Sequence, residues 1–152
     1  EARRRRIPAV FDPSSFALIE AFGPSKLLAE VGPVDVLIAN DAEAASLREG
    51  RPFTALEAHA KLVVVKQGSG GASAYAGLAA WHAPANPVNV IDTTGAGDAF
   101  DAAFMAEWLA SRDVEAALRA GNRLGAHVAG HLGAQPPAPA DPGGATWREM
   151  PS

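Results

Sequence analysis

Residues 92–100, Asp-Thr-Thr-Gly-Ala-Gly-Asp-Ala-Phe, constrain the fold more than any other stretch of the chain. Before them, Val88, Val90 and Ile91 read as a strand. After them, Phe100, Phe104 and Trp108 recur at four-residue intervals, the period of a buried helical face. The turn between delivers the amides of Gly95, Ala96 and Gly97 to a helix N-terminus, where unpaired N–H groups and the positive end of the helix dipole favour an anion. Gly95 and Gly97 carry no side chain, so an oxyanion can approach the backbone closely. Asp98 falls in the first helical turn, facing that anion. Two readings of it stand side by side: an ordinary first-turn carboxylate favoured by the dipole, or an acceptor for a hydroxyl proton during phosphoryl transfer. Other phosphate motifs do not fit. Phe100 stands where a dinucleotide fingerprint needs glycine, and no GxxxxGK[ST] loop occurs.

Strand-like and helical runs alternate along the rest of the chain. Residues 9–11 predict a strand, and 16–31 a helix with Leu18, Ile19, Phe22, Leu27 and Leu28 on its apolar face, broken or kinked at Gly23-Pro24. A short apolar strand follows at 34–39, then helices at 41–48 and 54–59. Residues 62–66 form a β-branched run typical of a strand buried on both faces. Gly77 separates 72–76 from 80–83, which read as a hairpin. A last helix covers 113–130, and the proline- and glycine-rich residues 136–152 read as an irregular tail. Strands separated by helices predict an α/β fold, a mostly parallel central sheet with helices on both faces.

Polar residues at the strand ends are the other candidates, because open α/β sheets bind ligands at the carboxyl ends of their strands. Asn40 and Glu43 fit helix capping as well as a site. Lys66-Gln67-Gly68-Ser69-Gly70-Gly71 is by itself a glycine-rich turn, and Gly121, Asn122 and Gly125 suit close helix packing. His127 and His131 share a helical face and have the spacing of a zinc pair. With no acidic third ligand nearby they read as surface histidines.

Composition bounds the rest. A chain of 152 residues reads as one domain. Its net charge of -4 argues against nucleic acid as the main partner, and the basic run from Arg3 to Arg6 reads as a solvated terminus. There is no cysteine, which suits a reducing cytoplasm and removes thiolate metal sites. No apolar run is long enough for a membrane span and no signal-peptide pattern is present.

The string at 92–100, with Asn40-Asp41-Ala42-Glu43, the Lys66 to Gly71 segment and Gly133-Ala134-Gln135-Pro136 in the same order, resembles the ribokinase family of carbohydrate and nucleoside kinases, named also after the minor phosphofructokinase. The likeness covers residues 10–137 and corresponds to the C-terminal, ATP-binding half of such a kinase. It implies a ribokinase-like fold and ATP-dependent, Mg2+-assisted phosphorylation of a sugar hydroxyl. Asp98 becomes the base, and Gly95, Ala96 and Gly97 the anion hole. It further implies that Asn40, Lys66, Gly68, Gly71 and Asn122 meet the nucleotide, and that Glu43 orders the water shell of magnesium. Asp92, Thr94 and Gly133 would hold a monovalent cation such as K+. The remaining partners it implies are the sugar, ATP, an N-terminal half and, in some arrangements, a second copy. No arginine lies between Arg6 and Arg48, which turns the reading away from an acidic sugar. Two alternatives are a nucleoside kinase of the same family and a non-catalytic nucleotide-binding or subunit-interaction fragment.

Overall fold

The computed structural model of the chain describes residues 7–134, so the Arg3 to Arg6 run, Gln135 to Pro137 and the irregular tail lie outside the described residues. The order of elements is β1 (Val10–Phe11), α1 (Phe16–Phe22), α2 (Pro24–Val31), β2 (Val34–Asn40), α3 (Asp41–Arg48), α4 (Thr54–Glu57), β3 (Ala60–Lys66), β4 (Ala72–Ala76), β5 (Ala79–Ala83), α5 (Ala96–Ser111) and α6 (Val114–Ala129). The expected break at Gly23-Pro24 separates α1 from α2: Gly23 has φ 91 and caps one helix, and Pro24 begins the next.

The strands form one sheet in the order β1-β2-β3-β4-β5. The first three are parallel, and β4 and β5 add an antiparallel hairpin to β3. Alternation of side chains along a strand divides the core in two. Val36 and Ile38 of β2 and Leu62 and Val64 of β3 face Phe100, Phe104 and Leu118 of α5 and α6. Leu37 and Ala39, with Val63 and Val65, face Ile19, Leu28, Leu47 and Leu56 on the other side. Both faces of the central strands are therefore covered, as a continuous apolar run requires. In α5, Phe100 and Phe104 are buried and Trp108 packs at the edge of the same core, as their spacing predicts.

One expected strand does not form. Val88, Val90 and Ile91 lie in an irregular segment and are exposed to 40, 58 and 60%. Pro84 and Pro87 interrupt the segment with residues that lack an N–H for a ladder. Its amides at Ile91 and Asp92 instead donate to the carbonyl of Ala129 at the end of α6.

The helices α5 and α6 approach closely because Gly121 faces Phe100. A Cβ at Gly121 would stand 2.7 Å from the ring, and one at Gly125 3.1 Å from the carbonyl oxygen of Ala96. The packing role of these glycines is thus set by the aromatic face of α5. Gly121→Ala should lower unfolding free energy by about 1–3 kcal/mol through overpacking, measured by chemical denaturation. A variant as stable as the parent would show that the two helices separate without cost.

Candidate active site

Parallel strands place their C-terminal ends on one edge of the sheet, and the chain puts polar residues at each of them. Asp12 follows β1, Asn40 ends β2 and Lys66 ends β3, with Asn40 and Lys66 in register across the strand pair. A cavity of about 720 Å³ opens over this edge. Asp12, Asn40, Glu43, Lys66, Gly68 and Gly71 line it from the sheet side. Ala96, Gly97, Asp98 and Asn122 line it from α5 and α6.

The start of α5, like that of α2 at Gly23, has a glycine of positive φ and no side-chain cap. Ser15, Asn40 and Asp113 cap α1, α3 and α6 with their side chains, whereas Gly95, in the left-handed region at φ 78, offers no side chain to α5. Only glycine fits there: its φ is positive, and a Cβ would stand 2.7 Å from Ala134. The expected trio of amides is altered in one member. Ala96 donates its N–H to the carbonyl of Thr93 at 3.1 Å. Among the described residues, the amides of Gly95, Gly97 and Asp98 have no acceptor. Asp98 itself is exposed, with its carboxylate in the first turn at the cavity wall.

Lys66 lies beneath that turn. Its Nζ is 3.5 Å from where a Cβ at Gly97 would be, which puts the ammonium in van der Waals reach of the turn. It donates to Asp12 Oδ2 at 2.7 Å and to Asp101 Oδ1 at 2.9 Å. The three side chains are only 16, 18 and 21% exposed for Lys66, Asp12 and Asp101. Burial pushes the Lys66 amine down, but hydrogen bonding to Asp12 and the attraction of both carboxylates outweigh it and hold the group above its ordinary value. Burial likewise pushes Asp12 up, and hydrogen bonds from Asp101 and Lys66 bring it below the usual range. Asp101 is pushed up to about 7, first by burial and then by its hydrogen bond to Asp12, against the pull of Lys66. Asp12 and Asp101 carry no local motif. The signals available were the position of Asp12 at a strand end and the placement of Asp101 one helical turn beyond Asp98.

Asn40 and Glu43 form a capping box. The Glu43 amide donates to Asn40 Oδ1 and the Asn40 amide to Glu43 Oε2, both at 2.9 Å. The capping reading therefore holds, and both residues also border the cavity. Glu43 Oε1 stays outside the box.

Gly71 has φ +89, and a Cβ there would fall 2.1 Å from the carbonyl oxygen of Ala83, so the glycine is fixed by the hairpin crossing beside it. Gly68 begins the short turn over the cavity, in open space. Asn122 is buried, and its Nδ2 donates to the carbonyls of Ala83 and Pro84 at 2.9 and 3.0 Å. Both of its hydrogens are thus used to fasten α6 to the segment after β5.

Asp92, Thr94 and Gly133 come together in a separate knot. Asp92 accepts the Thr94 amide and the Gly133 amide, each at 2.9 Å, and these bonds hold its carboxyl below the ordinary range. The ring centroids of His127, in the last turn of α6, and His131, just beyond the helix, sit 4.7 Å apart, with His131 Nδ1 bonded to the His127 carbonyl.

The model of the pfkB family carbohydrate kinases matches residues 12–141. The chain is 38% identical over 128 residues to an ATP-dependent ribose-1-phosphate kinase of Halopiger xanaduensis, covering 80% of this chain and 43% of the relative. Among solved structures, adenosine kinase from Sinorhizobium meliloti superposes with a TM-score of 0.81 at 27% identity, covering 89% of this chain and 43% of its own. An Escherichia coli protein solved in complex with ATP and Mg2+ superposes with a TM-score of 0.76 at 27% identity, over 87% of this chain and 45% of its own. The architecture is ribokinase-like, and the chain spans less than half the length of these relatives.

Removing the N-cap acceptor tests the local part of this geometry. Asn40→Ala should cost about 1 kcal/mol of stability, read from the denaturation midpoint. No change would mean that the capping box does not hold the start of α3 in solution.

Proposed function

The chain belongs to the pfkB family of carbohydrate kinases, and from that premise we propose that it forms the ATP-binding half of an enzyme transferring the γ-phosphoryl group of ATP to a hydroxyl of a small sugar. The observation that carries the reading is the exposed Asp98 carboxylate beside two open backbone amides, those of Gly97 and Asp98, in a glycine-started first turn. A phosphate held by those amides sits on the positive end of a sixteen-residue helix. A carboxylate at the same place repels the phosphate unless it accepts a proton, and the acceptor hydroxyl supplies one. The hydroxyl oxygen then attacks the γ-phosphorus in line as its proton passes to Asp98, and the bond to the ADP oxygen breaks. The amides hold the charge that develops on the transferring group.

The remaining residues bind and orient. Lys66 lies under the amides and tempers the charge of the phosphates. Gly68 and Gly71 let the turn after β3 pass close over the nucleotide. Asn122 acts by fixing the wall of the cavity at Ala83 and Pro84, since its donors are already engaged there. Glu43 is the residue that would hold a magnesium ion, through water: Oε1 is left outside the capping box at the cavity edge, and magnesium keeps several waters in such sites. When bound, the metal supplies charge neutralisation at the phosphates. A monovalent cation would rest on the carbonyls of Thr94 and Gly133 beside Asp92.

The sugar side of the site belongs to a preceding half. In its support, β1 has two residues at the edge of the sheet, and Val10 is 40% exposed there. The α1 helix that follows leaves Phe16, Leu18 and Phe22 exposed. An unpaired edge beside exposed apolar residues is the surface a further layer of the same domain would cover. The relatives include both a ribose-1-phosphate kinase and an adenosine kinase, so a nucleoside carrying the acceptor sugar is the second reading.

In the complete enzyme, Asp98→Asn should lower turnover by about 10²–10⁴-fold with ATP affinity close to that of the parent, measured by steady-state kinetics and nucleotide titration. Turnover near the parental value would remove Asp98 from the role of base.

A further inference from the structure

The Asp12–Lys66–Asp101 cluster is larger than a phosphate-binding lysine needs. A lone ammonium under the Gly97 turn would attract phosphate; here two carboxylates meet it first, at 2.7 and 2.9 Å. With both carboxylates ionised the cluster carries a net charge of one negative unit, and with one proton added it carries none. Lys66 is the charge that the cavity presents to an anion at α5, so the protonation of its partners sets how attractive that charge is.

We infer that Asp101 is a positioning residue for the phosphate site, acting through Lys66: by sharing a proton with Asp12 it frees the ammonium to face the nucleotide, and by losing that proton it draws the ammonium back. This rests on the nucleotide reading given above. Asp12 lies closer to the ammonium than Asp101, at 2.7 against 2.9 Å, which favours the proton on Asp101. Asp101 is on α5, with its carboxyl against both Asp12 and Lys66, and in its protonated form donates to Asp12. The charged groups that act on it are Asp12, from the segment after β1, and Lys66, from the end of β3. On its own helix Asp98 stands one turn earlier. The α6 helix, packed along α5, adds no charged group to that set. The ordinary range of a carboxyl would leave such a device permanently ionised near neutrality, whereas Asp101 is raised to about 7 and changes state there.

The sign follows. Below that value Asp101 is protonated, the cluster is neutral and an incoming polyphosphate meets an ammonium opposed by Asp12 alone. As pH rises through it the proton leaves, the cluster becomes negative and binding weakens. A bound polyphosphate, being negative, favours the protonated form, so binding above neutrality takes up part of a proton.

The test is calorimetric titration of the complete kinase with a non-hydrolysable ATP analogue and magnesium, from about pH 6 to about pH 8.5, in buffers of different ionisation enthalpy. The parent should lose roughly three- to thirtyfold in affinity across that range and take up a fraction of a proton. Asp101→Asn, neutral at every pH, should lose this dependence. Titration of the analogue's own phosphate is common to both proteins and cancels in the comparison. Equal pH slopes in the two would overturn the role of Asp101 while leaving the kinase reading intact. Failure of the parent to bind the analogue at any pH would overturn both. Carboxyl-carbon NMR of the parent is an independent arm that needs no variant to fold. Asp101 should titrate near 7, and a midpoint in the ordinary carboxylate range would overturn the inference.

Discussion

Everything at this site depends on one ammonium. Lys66 joins the end of β3 to the segment after β1 and to the second turn of α5, three pieces of chain that its side chain ties together. Two carboxylates brought together without it would repel each other in a partly desolvated cleft. An ammonium without them would push against the positive end of α5. Each charge is tolerable because the others are there, and removal of one partner of such a group costs on the order of a few kcal/mol. The cluster therefore fixes the height of α5 above the sheet, and with it the position of Gly97 and Asp98.

Above that floor, the division of labour among helix ends is a matter of side chains present or missing. The starts of α3 and α6 are closed by Asn40 and Asp113, which accept amides that would otherwise point into solvent. Gly95 closes nothing. The same absence of a side chain lets the turn pass Ala134 and leaves the first amides of a long helix facing the cavity. The packing that holds this helix on the sheet comes from Phe100 and Phe104 on its buried face and from Gly121 against Phe100. The open amides proposed to hold an anion and the buried core face belong to one element.

Much of this was legible in the sequence. The four-residue period of Phe100, Phe104 and Trp108, the β-branched run before Lys66 and the glycine turns each follow from local rules, and each appears where those rules put it. The cavity-lining positions of Asn40, Glu43, Lys66 and Asp98 followed from their placement at strand and helix ends. What was hidden is non-local. Asp12 and Asp101 are brought together only by the pairing of β1 with β2 and the docking of α5, and nothing in their neighbourhoods announces it. The employment of both Asn122 hydrogens by Ala83 and Pro84 depends on the same docking. The segment with Val88, Val90 and Ile91 misled because apolar alternation outweighed the two prolines beside it, and the prolines decided the outcome.

The central claim is that the phosphates of a nucleotide are held by the open amides at the start of α5. Backbone amide resonances followed while a non-hydrolysable ATP analogue and magnesium are added test it directly. The account predicts the largest shifts at Gly95, Gly97 and Asp98, with smaller ones at Gly68 and Gly71, and little change at Ala96, whose amide is already bonded to Thr93. Binding that left the Gly97 and Asp98 amides unmoved, with shifts gathered elsewhere on the sheet, would contradict it.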